Sequence, residues 1–306
     1  MGIGIDLGGT TIKGGVVNDQ GIILVERLVK TRSHLGYSHV LGDLIKLIEE
    51  LQLLSPEEQV IGIGIPGILS VDGGTIVSCP NLQWENIPLK RDLEQALSTA
   101  VLLVNDATAA CIAEAAFGST RGKANSVMIT LGTGVGGGVI INNRIISGAQ
   151  GVASEIGHML MEENFYRCGC GKNGCLETFA SATAMIRYCH LRINQGYDST
   201  LRSIEDFDGE AIMDAAKAGD SLAEEAVNRL ANYLGWAIAN INDIINPESF
   251  TIGGGLSYAG EFLLEKIQAE AIKRLTYPQY AVPEMVLARF KNEAGMIGAA
   301  NLGSFI

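Results

Sequence analysis

The chain has 306 residues, 47% hydrophobic and 18% charged, which excludes a disordered chain and gives enough apolar material for one large domain or two ordinary ones. A formal net charge of −12 argues against a generic nucleic-acid binder, because phosphate backbones are held by basic patches. No window approaches ~18 uninterrupted apolar residues, so no segment is expected to span a membrane.

The N-terminal MGIGIDLGGT enters a patterned strand with no basic or long apolar leader, so no targeting segment is expected. Cys79, Cys111 and Cys189 sit in apolar stretches, as free buried thiols do, and a reducing, cytoplasmic setting is the simplest reading. GIGID, GGVV and IILVERLVK predict three strands, with NDQG as a turn, followed by an amphipathic helix at about 37–54 closed by SPEE. VIGIGIP predicts a buried strand, VDGGTIVS a hairpin and CPNLQWENIP a polar loop. LKRDLEQALS reads as helix, VLLV at 101–104 as strand, and NDATAACIAEAAFG as helix.

The opening pattern then recurs. ITLGTGVGGGVIINNRII overlays IDLGGTTIKGGVVNDQGII at a constant offset of 124, matching Leu7 to Leu131, Gly14 to Gly138 and Asn18 to Asn142. Strand, glycine turn, strand and polar turn all keep register, which points to duplication. Beyond it, helices are expected at about 179–195, 209–217 and 221–245, with a mobile-looking polar stretch NQGYDSTLRS between the first two. SFTIGGGLS reads as a strand and glycine turn, EMVLARF as a strand and EAGMIGAANL as a final helix. The expectation is an α/β protein of two lobes with a cleft. The first lobe is 1–117, joined by a C-terminal helix at about 291–306, and the larger second lobe is 118–290.

Three glycine loops compete as phosphate cradles: DLGGTT (Asp6, Gly8, Gly9, Thr10, Thr11), LGTGVGGG (Gly132, Thr133, Gly134) and IGGGLS (Gly254, Gly255). Glycine lets successive backbone N–H groups approach anionic oxygens. Asp6, at a strand end, can hold Mg²⁺ or its water, and Lys13 is a cationic helper. GTGVGG and GIGIPG match a dinucleotide fingerprint, but both continue as extended chain rather than opening a helix, so that reading is weak. Any one loop could be a plain hairpin; three favour a nucleotide. Asp106, between VLLVN and a helix, reads from its position alone as a helix cap.

His158, Cys168, Cys170 and Cys175 crowd into eighteen positions. Three thiolates and an imidazole close a tetrahedral Zn²⁺ site with no open position, hence a structural one; a disulfide or loose thiols are the alternatives.

DLGGTTIK, NDATAA, LGTGVGGG, EIGH and CGCGKNGCLE, in this order and spacing, resemble the ROK family of sugar kinases across essentially the whole chain, and most closely its Gram-positive-type glucokinases. The resemblance implies a duplicated ribonuclease-H-like/actin-like (hexokinase-type) ATPase fold. It also implies ATP-dependent phosphorylation of a hexose, glucose at O6 first, with N-acetylmannosamine or fructose as alternative substrates. It makes Asp106 the general base, and Gly67, Asn81, Asn105, Glu155, His158 and Glu177 sugar ligands. It implies ATP and Mg²⁺ on the glycine loops, and a homodimer or homotetramer that engages neither nucleic acid nor membrane. Repressors of the family carry a DNA-binding segment before the kinase-like body, and this chain opens at the first strand, so a repressor is not expected. A non-catalytic sugar sensor would not need the phosphate loops.

Overall fold

The computed structural model describes residues 1–56, 60–280 and 282–306. The helix stop SPEE is therefore seen only in part: α1 (Tyr37–Leu54) ends at the Ser55 cap, while Glu57 and Glu58 lie outside the described residues. The chain forms two compact units. One comprises Met1–Met128, Gly138–Ser154 and Arg289–Ile306; the other comprises Ile129–Gly137 and Glu155–Ala288.

In the first unit, β1 (Gly2–Leu7), β2 (Thr11–Val17), β3 (Ile23–Lys30), β4 (Val60–Ile65) and β8 (Ala100–Asn105) make a sheet of order β3-β2-β1-β4-β8. β2 runs antiparallel to β1 and β3, whereas β1, β4 and β8 are parallel. The sequences GIGID and IGIGI explain how both faces are covered. Side chains alternate across a strand, so Ile3, Ile5, Ile61 and Ile63 share a core with Val40, Leu44, Ile48 and Leu51 of α1. The glycines point the other way, onto α9 (Ala294–Ala300). A Cβ at Gly4 would stand 2.0 Å from the Met296 carbonyl oxygen, and one at Gly62 would stand 1.8 Å from that of Ala299. Glycine is needed because helix backbone lies directly on sheet backbone. On its far side α9 packs as closely on α3 (Asp106–Phe117), whose run of alanines permits it.

β5 (Ile68–Leu69), β6 (Ile76–Cys79) and β7 (Trp84–Ile87) form a small antiparallel sheet. The hairpin was expected; β7 was not, because WENI lies in a stretch that reads as polar loop. Only Trp84 of that strand is fully buried, so its alternation is too short to see. α2 (Leu89–Leu97) follows.

The second five-stranded sheet has the order β11-β10-β9-β12-β13 and repeats the layout of the first. β9 (Ser126–Leu131) and β10 (Val135–Ile141) lie 124 residues after β1 and β2 at both ends. The duplication fades at the third strand, where β11 is only Arg144–Ile145. β12 (Ser249–Gly253) and β13 (Glu284–Leu287) are parallel.

The helix expected over 179–195 is two. α4 (Glu177–Ala180) stops at Ser181, whose extended backbone and side chain cap α5 (Ala182–Asn194) by accepting from Ala184 N. α6 (Gly209–Lys217), α7 (Ser221–Ile245) and α8 (Glu261–Ile272) complete the second unit. The polar stretch before α6 is anchored: Asp220 accepts from the Ser199 and Thr200 hydroxyls and from Thr200 N. No described helix is long and apolar enough to cross a membrane.

Candidate active site

In the first unit, the candidate residues gather at the C-terminal ends of the parallel strands, where open α/β sheets bind ligands. Asp6 closes β1, Gly67 follows β4, and Asn105 and Asp106 follow from β8. Gly67 has φ 143°, and a Cβ there would meet the Ser78 carbonyl oxygen at 2.5 Å. Its own carbonyl accepts from Asn105 Nδ2 at 3.3 Å. The helix cap is Asn105 rather than Asp106: Asn105 Oδ1 accepts from Ala107 N at 3.0 Å and Thr108 N at 3.2 Å. That frees Asp106 from the capping role its position suggested; Ala107 N donates to its carboxylate at 2.8 Å.

Burial pushes the Asp106 carboxyl above the ordinary carboxylate range, partly opposed by that Ala107 bond. Asp6 rises to about 6, first through burial and then through the charge of Asp106, against the pull of Lys13. Lys13 faces Asp6 across the β1–β2 ladder and donates from Nζ to the Asn292 carbonyl at 2.8 Å. The 8–11 loop is a closed turn: Gly8 N donates to Thr11 O at 3.0 Å, Thr31 Oγ1 to Gly8 O at 2.7 Å, and Thr31 N to Thr10 O at 2.8 Å. Gly9 lies against Asn81, which is exposed. Asp6, the 8–11 loop, Asn81, Gly67, Asn105 and Asp106 thus belong to one region of this unit. Two half-buried carboxylates beside a positive side chain suit a divalent cation, whose charge would relieve their repulsion.

In the second unit, Gly132, Thr133 and Gly134 form the turn between β9 and β10. Three groups fasten it: Ala182 N donates to Gly132 O at 2.8 Å, Thr183 Oγ1 to Thr133 O at 2.7 Å, and Val135 N to Glu177 Oε2 at 3.1 Å. The Gly254 backbone lies against Leu131. Two of the three glycine loops therefore meet, and Gly132, Thr133 and Gly255 line a cavity of ≈ 330 Å³. Met213 and Asp214 of α6 and Tyr258 complete its wall. Sequence reasoning missed these three; the amphipathic stripe of α6 was visible, but nothing in it distinguishes a wall from a core face.

The Cys/His cluster is also in the second unit. One ligand atom from each of His158, Cys168, Cys170 and Cys175 lies within 4.8 Å of all the others. His158 Nδ1 is 3.6 Å from Cys168 Sγ, and Cys170 Sγ is 3.5 Å from Cys175 Sγ. A tetrahedral site with Zn–S near 2.3 Å has ligand–ligand edges of about 3.8 Å, so the donor set fits zinc in kind and spacing. It does not fit a disulfide, and all six cysteines are free. The loop doubles back through bridges Leu160–Cys175 and Arg167–Asn173, with Cys168 N donating to Lys172 O at 2.9 Å. With Nδ1 facing the sulfurs, His158 Nε2 is left 3.9 Å from Glu155 Oε2. Glu177 touches the cluster as well: its Oε1 is 3.5 Å from Cys168 Sγ.

Comparison with known proteins shows the family. The ROK family profile matches residues 2–304. The glucokinase of Streptomyces coelicolor is 35% identical over 98% of this chain and 96% of its own length. Among solved structures, a ROK family glucokinase from Streptomyces griseus in complex with glucose and AMPPNP superposes with a TM-score of 0.82, at 33% identity and 98% coverage of both chains. The ROK hexokinase of Thermus thermophilus gives 0.85 at 31% identity, covering 97% of this chain and 96% of its own. With paired carboxylates at the strand ends, glycine turns at a cavity wall and a closed Cys/His knot all inside the matched span, the chain belongs to the ROK family and has its duplicated ribonuclease-H-like, actin-like α/β fold.

Proposed function

We propose that this ROK-family sugar kinase transfers the γ-phosphoryl group of ATP to O6 of glucose, giving glucose 6-phosphate and ADP. One observation carries the assignment of the base: Asp106 is a half-buried carboxylate, released from capping by Asn105, with its affinity for a proton raised by burial. Such a group takes the O6 proton as the O6–phosphorus bond forms and the bond to ADP breaks. Asn81, Asn105 and the Gly67 backbone hydrogen-bond the hydroxyls near C6. Glu155, His158 through Nε2, and Glu177 read those near C1 and C2. Unpaired buried hydroxyls cost about 1–3 kcal/mol each, so these pairs select the sugar.

The 132–134 turn takes the β- and γ-phosphates, with Gly254 and Gly255 beside the adenosine and the 8–11 loop, Asp6 and Lys13 serving the phosphate end. Mg²⁺, held by Asp6 directly or through water, shields the charge of the transferring group when bound. His158, Cys168, Cys170 and Cys175 would hold a structural Zn²⁺, which would fix the imidazole tautomer of His158.

The domain reading accompanies this function: a first lobe of 1–117 with the last helix, and a second of 118–290 carrying the metal loop. A coupled assay with ATP and a panel of hexoses tests the activity. Glucose is expected to give the highest kcat/KM; higher values for N-acetylmannosamine or fructose would reassign the substrate, and no turnover of any hexose would overturn the kinase reading.

A further inference from the structure

Glu177 stands at the start of α4, between two features that the sequence holds more than thirty positions apart. Its Oε1 is 3.5 Å from Cys168 Sγ of the metal-binding knot. Its Oε2 accepts the Val135 N–H at 3.1 Å, at the end of the glycine turn that walls the cavity. Gly134 makes room for it: a Cβ there would stand 2.2 Å from Glu177 Oε2. That glycine is thus required by the carboxylate, not by its own backbone angles, since Gly134 is absent from the positive-φ glycines.

We propose that Glu177 is a positioning residue for the nucleotide: held two positions after Cys175 of the Cys/His knot, it fastens the 132–135 turn through its carboxylate and so sets where the turn's N–H groups point. The inference rests on the reading of this turn as the phosphate-binding one. A carboxylate has roughly four lone-pair sites, so the bond to Val135 N leaves capacity for sugar hydroxyls. One side chain then serves the phosphate turn and the sugar. The other two fastenings of the turn, from Ala182 N and Thr183 Oγ1, reach Gly132 and Thr133 rather than Val135. The tether is a hydrogen bond to a charged acceptor, so its loss should weaken nucleotide binding on the order of ten-fold or more.

The test is a double-mutant cycle on the zinc-loaded protein, reading the affinity for a non-hydrolysable ATP analogue with Mg²⁺ and without sugar by calorimetry. Gly134→Ala drives the carboxylate off Val135 without altering a metal ligand; Glu177→Ala removes the carboxylate. Each single variant is expected to bind the analogue on the order of ten-fold more weakly, and the double variant no more weakly than Glu177→Ala alone. Glu177→Gln, which keeps an acceptor oxygen, is expected to recover most of the affinity. Additive losses would show that the methyl group obstructs the nucleotide directly and would overturn the proposal, as would Glu177→Ala binding like wild type. A wild-type protein that binds no analogue would overturn the phosphate-turn reading itself.

Discussion

The carboxylate of Asp106 raises the pKa of Asp6, which stands at about 6 through burial first and this repulsion second. Asp6 lies next to the end of β1 and Asp106 directly follows β8, so the parallel pairing of β1, β4 and β8 is what brings the two charges together. Asp106→Asn should therefore lower the Asp6 pKa from about 6 towards the ordinary carboxylate range. Carboxyl carbon NMR titration of the variant checks this; an unmoved Asp6 would separate the two groups.

The same pair gives a sign to the pH dependence of stability. Both carboxyls hold their protons more tightly folded than unfolded, where Asp titrates near ~3.9. Their contribution is fully present below about pH 4 and is lost as pH rises through about 6 for Asp6. Asp72, Asp220 and Glu270, with lowered pKa values, pull the other way, so the readable quantity is a difference between proteins. Asp106→Asn should gain stability relative to the parent between pH 4 and pH 7, measured by urea unfolding without ligands, by about one group's worth of linkage.

Turnover should go the opposite way from stability. Asp106→Asn is expected to lose about 10²–10⁴-fold in kcat while binding glucose nearly as well as the parent, read by steady-state kinetics and calorimetry. In the parent, kcat should climb with pH as the buried carboxyl loses its proton. Retained activity in the variant would remove Asp106 from the base's role.

Metal removal should destabilise the second unit before it abolishes chemistry. Cys175 is fully buried and Cys168 nearly so, so stripping the ion leaves two buried thiols, and strong chelation should lower the Tm by several degrees. Cys175→Ala should show the same lower Tm with or without chelator. Equal melting of chelated and zinc-loaded parent would deny the ion a structural role.

The glycine face of the first sheet should be intolerant of a single methyl group. Gly62→Ala puts Cβ 1.8 Å from the Ala299 carbonyl oxygen, on backbone that cannot swing aside. The expected cost is about 1–3 kcal/mol or more in denaturant unfolding. Gly73→Ala, where nothing lies within 4 Å of the added atom, meets no such obstacle, though its φ of 64° carries a smaller backbone penalty.

The strands and their duplication were legible because period-two alternation and a constant offset are local signals; β9 and β10 fall where the overlay of ITLGTG on IDLGGT puts them. What the sequence hid is pairwise. Ser181 breaks one expected helix into two because its side chain finds Ala184 N, a choice that helix periodicity does not record. The cap at Asn105 rather than Asp106 is likewise a competition between neighbours that only coordinates decide. The gathering of His158 with Cys168, Cys170 and Cys175 was readable from residue type and spacing, but the reach of Glu177 to Val135 was not, since no motif joins position 177 to position 135. The wall formed by Met213, Asp214 and Tyr258 was invisible for the same reason.

The seating of α9 on β1 and β4 has a consequence for how the chain is made. Gly4 leaves the ribosome 292 residues ahead of Met296, whose backbone covers it. At ~5–20 residues per second the first sheet can pair its strands and close over α1 while its glycine face stays bare until α9 is made. The nascent chain therefore waits for α9, and stalling or premature termination after β13 would release a protein with its first sheet uncovered.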